Sequence, residues 1–445
     1  MKKSPVFKLD NKRFLIQHKN GIAYLLDSHT HQGIELNEAS EIICKGLLHE
    51  KTVEQISYEL IKVFSNLTIL KACKEITTFI NLLKKHSLFS KDKESINKNI
   101  PKLNNVTFSI TNKCNLSCKH CLGGNTLKKA KSELSLDKIN KLAHEISELG
   151  CKNISLFGGE PLLRKDFNKI LEIFSTLGFY IKVNTNATLI TKEIISDLIR
   201  YKVKLVTASL DGSSPEIQEP MRGKDSFNSA VSGIKMLVKS DIPVIISTTV
   251  TKYNYNNLTH IAKLAKKLGV KGIRFNDVHF GGHALCFLKD ILISNKMRLK
   301  VLDDAEKLYK RYGEFISGSF PDLQKKIKSE TSTDSLNFPL LIPPCGAAMG
   351  SLCIRSDGYV TPCEILWDEK VGNVHKSSLE KIYYESKKIN TFRFPKIITA
   401  KDISHCNGCR YIKVCFLGHR CAPYFYPGKT LKEKSLLTCL DNNVA

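Results

Sequence analysis

Cys114, Cys118 and Cys121 stand in a C-x3-C-x2-C pattern inside the run TNKCNLSCKHCLGG, Thr111 to Gly124. No other feature of the 445 residues restricts the fold as much. The apolar, β-rich run Val106–Ile110 leads straight into it, so the cysteines are expected on a loop at a strand end. Three thiolates on one short loop can hold three corners of a cubane iron–sulfur cluster, leaving the fourth iron open to a small molecule. A structural zinc knot is the other reading. Zinc wants a fourth ligand and usually a symmetric CxxC pair, and His120, beside Cys121, is poorly placed to close the same site.

Composition bears on the compartment. The chain holds 15 cysteines, and its start, MKKSPVFKLDNKR, lacks the apolar core of a secretion signal. No run is apolar for long enough to span a bilayer, so a cytoplasmic protein with no membrane partner is expected. In a reducing compartment, so many cysteines point to metal or cluster ligation rather than disulfides. The formal charge of +25 asks for an acidic partner, a nucleic acid or an acidic peptide. Lys-, Asn- and Ile-rich usage gives the same charge with no partner at all.

Residues 1–90 read as a small domain. Phe14–His18 and Ile22–Leu26 are expected strands around an Asn20-Gly21 turn, with a third strand at Gly33–Leu36. Asn37 caps a helix through Leu48, Thr52–Gln55 is a capping box opening a second to about Val63, and a third runs from Ile69 to His86. That order is a winged-helix arrangement, which either enters a DNA groove or clamps an extended peptide by strand addition. The third helix is a poor recognition helix, since its lysines are scattered and it has no arginine. Residues 91–104 are a polar linker.

From Asn105 strands alternate with helices. Strands are expected at Val106–Ile110, Asn153–Phe157, Tyr180–Asn184, Leu205–Ser209, Val244–Thr249 and Gly272–Asn276. Helices are expected at Leu136–Leu149, Asp166–Leu177, Thr191–Tyr201, Ser226–Ser240 and Asn254–Leu268. The pattern implies an α/β fold with a parallel sheet and its chemistry at the C-terminal strand ends. There lie Gly158, Gly159 and Glu160, where two glycines admit a close ligand and the glutamate can receive an ammonium group. Asn184, Ser209, Asp211 and Arg222 fall at or after the next strand ends. Residues 286–340 form a bridging region, and His279, His283 and Cys286 around its start read as loop residues near the sheet's mouth. Cys44, Cys73 and Cys151 read as inert core or surface thiols.

The segment 341–445 is cysteine-dense again. Cys345, Cys353 and Cys363 come first, with an Asp357-Gly358 hairpin bringing the last two together. Cys406, Cys409, Cys415, Cys421 and Cys439 follow. Eight such ligands can serve a zinc ribbon or two cubane clusters.

The C-x3-C-x2-C loop, followed one β-α unit later by Gly158-Gly159-Glu160-Pro161, resembles the radical S-adenosylmethionine (SAM) superfamily over roughly residues 104–285. The resemblance implies a partial (β/α)6 TIM barrel over 105–285. In that family the amino and carboxylate groups of SAM chelate the open iron. Gly158, Gly159 and Glu160 would then bind the amino group, with Asn184, Ser209 and Asp211 near the ribose and carboxylate and Arg222 available to a carboxylate. The C-terminal set resembles the SPASM domain through Cys345-Gly346, Gly358 to Cys363, and the later CxxC-x5-C. It departs in having five residues, not about three, between Cys415 and Cys421. This implies two auxiliary 4Fe-4S clusters, one on Cys345, Cys353, Cys363 and Cys421, the other on Cys406, Cys409, Cys415 and Cys439. The run GIELNEASEIICKGLLHEKTVEQISYELIKVF resembles the peptide-leader recognition domain of the pyrroloquinoline-quinone chaperone type.

Together these imply a three-cluster oxidoreductase that modifies a ribosomal precursor peptide held by its leader, fed by a low-potential donor of flavodoxin or ferredoxin type. Thioether formation of the sactipeptide or ranthipeptide kind is the expected outcome. Rivals are a carbon–carbon or carbon–oxygen crosslinking or epimerising maturase, a sulfatase-type maturase, and a zinc-containing winged-helix regulator that binds DNA. The maturase readings have no nucleic-acid partner.

Overall fold

The computed structural model describes residues 9–11, 13–19, 22–27, 33–85, 100, 102–124, 133–279, 281–320 and 347–393. They belong to two compact units, whose described parts lie within residues 9–100 and 102–393. The Asn20-Gly21 turn, the stretch 91–99 of the expected linker, and Cys345, Cys406, Cys409, Cys415, Cys421 and Cys439 lie outside the described residues.

In the first unit β1 (Phe14–Lys19), β2 (Ile22–Asp27) and β3 (Gly33–Leu36) pair antiparallel in that order. Three helices follow, α1 (Glu38–Leu48), α2 (Val53–Val63) and α3 (Ile69–Lys85). Asn37 accepts the Ser40 N–H at 2.9 Å, and Thr52 and Gln55 close the expected capping box. Phe14, Leu25, Leu36, Ile43, Leu47, Ile56, Leu60, Ile76 and Ile80 form its core, with the Cys44 thiol buried among them. Burying so much aliphatic surface, not helix propensity, holds a unit of this size together.

The second unit is built on one sheet. β4 (Asn105–Thr111), β5 (Asn153–Gly158), β6 (Tyr180–Thr185), β7 (Leu205–Ser209), β8 (Val244–Thr249) and β9 (Gly272–Asn276) run parallel in sequential order. Between them lie α4 (Leu136–Glu148), α5 (Phe167–Thr176), α6 (Lys192–Arg200), α7 (Pro215–Arg222), α8 (Ser226–Lys239) and α9 (Leu258–Leu268). β4 is buried on both faces, whereas burial alternates along β5–β8. Val106, Phe108, Ile154, Leu156, Ile181, Val183, Val206 and Ile246 are buried, and Phe108 meets Phe174 of α5 edge-on. The opposite face of β5–β8 is only half buried and mostly polar.

Three features depart from the sequence reading. Helix α9 begins at Leu258, not Asn254, because the Asn254 side chain accepts the Thr251 N–H and donates to the carbonyls of Asp211 and Thr249. An asparagine spent on backbone groups cannot also continue a helix. The bridging region holds a regular helix, α10 (Asn295–Tyr312), and a short strand, β10 (Ile316–Ser317), that extends the sheet beside β9. At the other edge β11 (Ser351–Ile354) pairs parallel with β4, and β12 (Tyr359–Thr361) and β13 (Gly372–Asn373) follow antiparallel. The Asp357-Gly358 hairpin therefore continues the same sheet. Helices α11 (Leu379–Glu385) and α12 (Lys387–Arg393) complete the described chain.

Candidate functional site

The loop after β4 is laid against the loop after β5. Gly159 N–H donates to the Thr111 carbonyl at 2.9 Å, and Glu160 N–H to the Lys113 carbonyl at 2.7 Å. A Cβ at Gly158 would collide with the Thr111 carbonyl, and one at Gly159 with the Lys113 carbonyl and the Cys114 side chain. Only glycine permits this approach. The two loops and the ends of β6–β9 surround a cavity of about 320 Å³. Its wall includes Cys114, Cys118, Cys121, Gly158, Gly159, Asn184, Ser209 and Arg222, all singled out from the sequence.

Glu160 and Asp211 stand behind that wall. Glu160 is 1% exposed, and its oxygens accept from Thr185 Oγ1 at 2.7 Å, the Asn186 N–H at 2.7 Å and the Leu162 N–H at 3.2 Å. Where the sequence suggested an ammonium receptor, the geometry gives a carboxyl that fastens the β5 and β6 loops together. Burial pushes its pKa up to about 7, against hydrogen bonds from Thr185, Asn186 and Leu162 that favour the ionised form. Asp211 accepts from Arg222 Nε at 2.6 Å and from the Thr249 N–H at 2.8 Å. Arg222, the last residue of α7, is buried too, so its alternative as a surface arginine is set aside. Its carboxylate partner is internal, and its Nη1 lies 4.0 Å from Cys118 Sγ.

Cys118 and Cys121 are half-buried in the loop and Cys114 stands exposed at its edge. Burial raises the pKa of each, that of Cys118 to about 12. As free thiols they keep their protons, and only ligation to a cation removes them. Backbone N–H groups are aimed at two of the sulfurs, Leu116 at Cys114, and Gly123 and Gly124 at Cys121. His120 is partly buried, its side chain 12% exposed, with Nε2 3.6 Å from Asp211, and desolvation drops its pKa to about 4. It lines the cavity beside the cysteines. Among the described residues no group of three or more His, Cys, Asp or Glu is placed to hold a single metal ion.

Several wall residues were not singled out from the sequence: Asn112, Ser247, Thr249 and Asp277. Each is at a strand end or just past it, which is the only signal that could have found them. His279 and His283 were read as mouth loops, and both line the cavity. The His283 N–H holds the Cys121 carbonyl at 2.9 Å, which ties the loop after β9 to the cysteine loop.

Cys353 is fully buried on β11, in register with Thr107 of β4 and Thr361 of β12. Cys363 lies just beyond β12, close enough to raise the Cys353 pKa further after burial and Glu364 have done so. The hairpin thus brings these two cysteines together beside the strand that leads to Cys114.

Residues 108–271 match the family described as the radical SAM superfamily, and residues 345–410 match SPASM, an iron–sulfur cluster-binding domain. The chain carries a radical SAM domain followed by a SPASM domain. It is 28% identical over 351 residues to the AdoMet-dependent heme synthase of Methanosarcina barkeri, covering 76% of this chain and 96% of that one. It is 27% identical over 367 residues to the antilisterial bacteriocin subtilosin biosynthesis protein AlbA of Bacillus subtilis, covering 79% and 76%. Its fold resembles that of Streptococcus suis SuiB bound to precursor peptide SuiA, with a TM-score of 0.59, 15% identity, and coverage of 98% of this chain and 99% of that one.

The radical SAM cavity fits the groups that such domains hold. Three thiols share its wall with a glycine loop that already lies against their backbone. The buried Nδ2 of Asn112, also on the wall, has no hydrogen-bond partner among the described residues and can donate to a polar ligand. Arg222 supplies positive charge to a site that would carry anionic sulfur.

Proposed function

We propose that this protein is a radical SAM maturase that installs a thioether bond, Cys sulfur to carbon, in a ribosomally made precursor peptide. One observation carries the chemistry: Cys114, Cys118 and Cys121 meet the Gly158–Gly159 loop on the wall of a single cavity. A 4Fe-4S cluster and SAM bound there would supply radical chemistry able to remove hydrogen from an unactivated carbon. The chain's part is positional. Cys114, Cys118 and Cys121 would hold the cluster, the Gly158 and Gly159 backbone with Asn184 and Ser209 would hold the cofactor, and Arg222 faces the Cys118 sulfur. Glu160 and Asp211 fix the loops that do this.

The peptide assignment is supported by reach of fold. The likeness to SuiB, whose structure holds a precursor peptide, runs through the first unit as well as the second. The first unit's sheet, in the order β1-β2-β3, offers strand edges to an extended leader. A SPASM domain with Cys353 and Cys363 beside β4 gives the substrate electron somewhere to go. Two auxiliary clusters on the eight C-terminal cysteines, and a flavodoxin- or ferredoxin-type donor, complete the proposal.

A second reading rests on the heme synthase relatives, which would make the substrate a tetrapyrrole. Anaerobic reconstitution decides between them. Iron near twelve per chain with matching sulfide is expected, with 5′-deoxyadenosine formed under a low-potential reductant. A precursor peptide encoded beside the gene should lose two hydrogens per thioether by mass spectrometry. Turnover of a tetrapyrrole and not the peptide would select the second reading, and stoichiometric zinc without deoxyadenosine would sink both.

A further inference from the structure

The polar face of the sheet is not neutral. Ser209 of β7, Ser247 of β8, Arg274 of β9 and Ser317 of β10 lie in one cross-strand row. Ser209 and Ser247 line the cavity, and in-register neighbours project from the same face. The Asn276 amide donates to Ser247 Oγ at 3.2 Å, fixing that face of β9 as the inner one, and Arg274 is two residues back along it. Ile273 and Phe275, which flank Arg274, are fully buried on the other face. Arg274 itself is exposed, and among the described residues it has no hydrogen bond and no ion pair.

Lys182 of β6 stands in the same relation to Asn184, a wall residue two positions on. Its contact is the face of Tyr180, 5.5 Å from the ring centroid, and no carboxylate pairs with it among the described residues. The acids around the cavity are already engaged. Asp211 holds Arg222, Asp277 holds Arg298 through both nitrogens, and Glu160 holds Thr185 and Asn186. Glu364, bonded to Thr107, lies two strands from Lys182 along its row, roughly 10 Å at the usual strand spacing. Among the described residues, two cations thus face the cavity side of the sheet without internal counter-ions, open to a ligand that brings the negative charge.

We propose that Arg274 and Lys182 form a carboxylate-binding wall for the substrate. This deepens the proposed function by stating what the substrate must carry near the carbon that reacts. The shared chemistry is a carboxylate, from an Asp or Glu side chain of a peptide or from a tetrapyrrole propionate. Arg274 grips it in the fork geometry of guanidinium and carboxylate, and Lys182 adds a point charge from the far side.

Phenylglyoxal labelling of arginine, mapped by peptide mass spectrometry on the SAM-loaded full-length protein, tests this without needing turnover. Arg274 should react in the free protein. N-acetylglutamic acid α-amide should slow its labelling at least fivefold, whereas the neutral N-acetylglutamine α-amide should not. In Lys182→Gln the protecting concentration should rise about tenfold. Protection by coproporphyrin III but not by the glutamyl probe keeps the wall and assigns it to a tetrapyrrole. Equal protection by the acidic and neutral amides, no protection by any probe, or an unreactive Arg274 overturns the proposal. An unchanged protecting concentration in Lys182→Gln removes Lys182 from it. None of these outcomes touches cofactor cleavage, so deoxyadenosine formation continues to test the maturase reading separately.

Discussion

Arg222 donates from Nε to Oδ2 of Asp211 at 2.6 Å, with both residues buried and the Cys118 sulfur 4.0 Å from the same guanidinium. A buried charge pair is costly to break from one side only, because the remaining charge has no solvent. Asp211→Asn should therefore destabilise the cofactor-free chain by about 3–5 kcal/mol. Asp211→Leu combined with Arg222→Met should recover much of that loss in denaturant melts. Equal instability of the single and double variants would mean the pair matters less than the Asp211 bond to Thr249.

Gly159→Ala probes the contact between the two loops. Its Cβ would enter the Lys113 carbonyl oxygen, a backbone atom that cannot rotate away. The β4 and β5 loops must then separate, at a cost of about 1–3 kcal/mol. Iron bound after reconstitution should fall, and SAM affinity with it. Full iron loading with unchanged melting would show the approach to be looser than the structure has it.

Much of this site was readable in advance because cysteine spacing and glycine pairs are local signals. The strands from Val106 to Asn276 were legible from apolar runs, and strand ends located Asn184 and Ser209. What escaped was set by contacts between distant segments. Nothing near Glu160 says that Thr185 and Asn186 will take its oxygens, and nothing near Asp211 says that Arg222 will fold back onto it. Asp277 meets Arg298 across 21 residues, and the strands flanking β4 and β9 come from segments too short to show periodicity. Helix α7 was missed although Ser214-Pro215 is a good helix start, since Pro220 inside it argues against continuation.

Replacing Cys114, Cys118 or Cys121 with Ala removes one corner of the proposed cluster. Each variant should lose about four irons per chain and all reductive formation of 5′-deoxyadenosine. Cys73→Ala, in the first unit with its sulfur 3.1 Å from Ser57 Oγ, should keep both. Persistent deoxyadenosine in the Cys118 variant would place SAM cleavage elsewhere.

Deleting residues 1–90 separates the two proposed tasks. Uncoupled SAM cleavage should persist, since Cys114 to Arg222 all lie in the second unit. Modification of a leader-bearing peptide should drop at least tenfold, whereas a leaderless peptide should be modified equally poorly by both forms. Equal modification of the two peptides by the intact enzyme would remove the leader clamp.

Glu160 gives the fold a pH dependence whose sign is set by its burial. Its pKa rises from 4.5 to about 7 in the folded chain, so the folded state favours the protonated form more than the unfolded state does. The associated stability is fully present below about 4.5 and is lost as pH climbs through about 7. Its full size is about 3 kcal/mol at most. Glu160→Gln removes the titration while keeping the shape, although its amide must face one of the donors from Thr185 and Asn186. Wild type should therefore lose stability relative to Glu160→Gln between pH 5 and pH 8, measured by urea melts of the cofactor-free chain. A gap that widens in favour of wild type with rising pH would mean that hydrogen bonds from Thr185, Asn186 and Leu162 outweigh burial, and that Glu160 holds these loops as a carboxylate throughout.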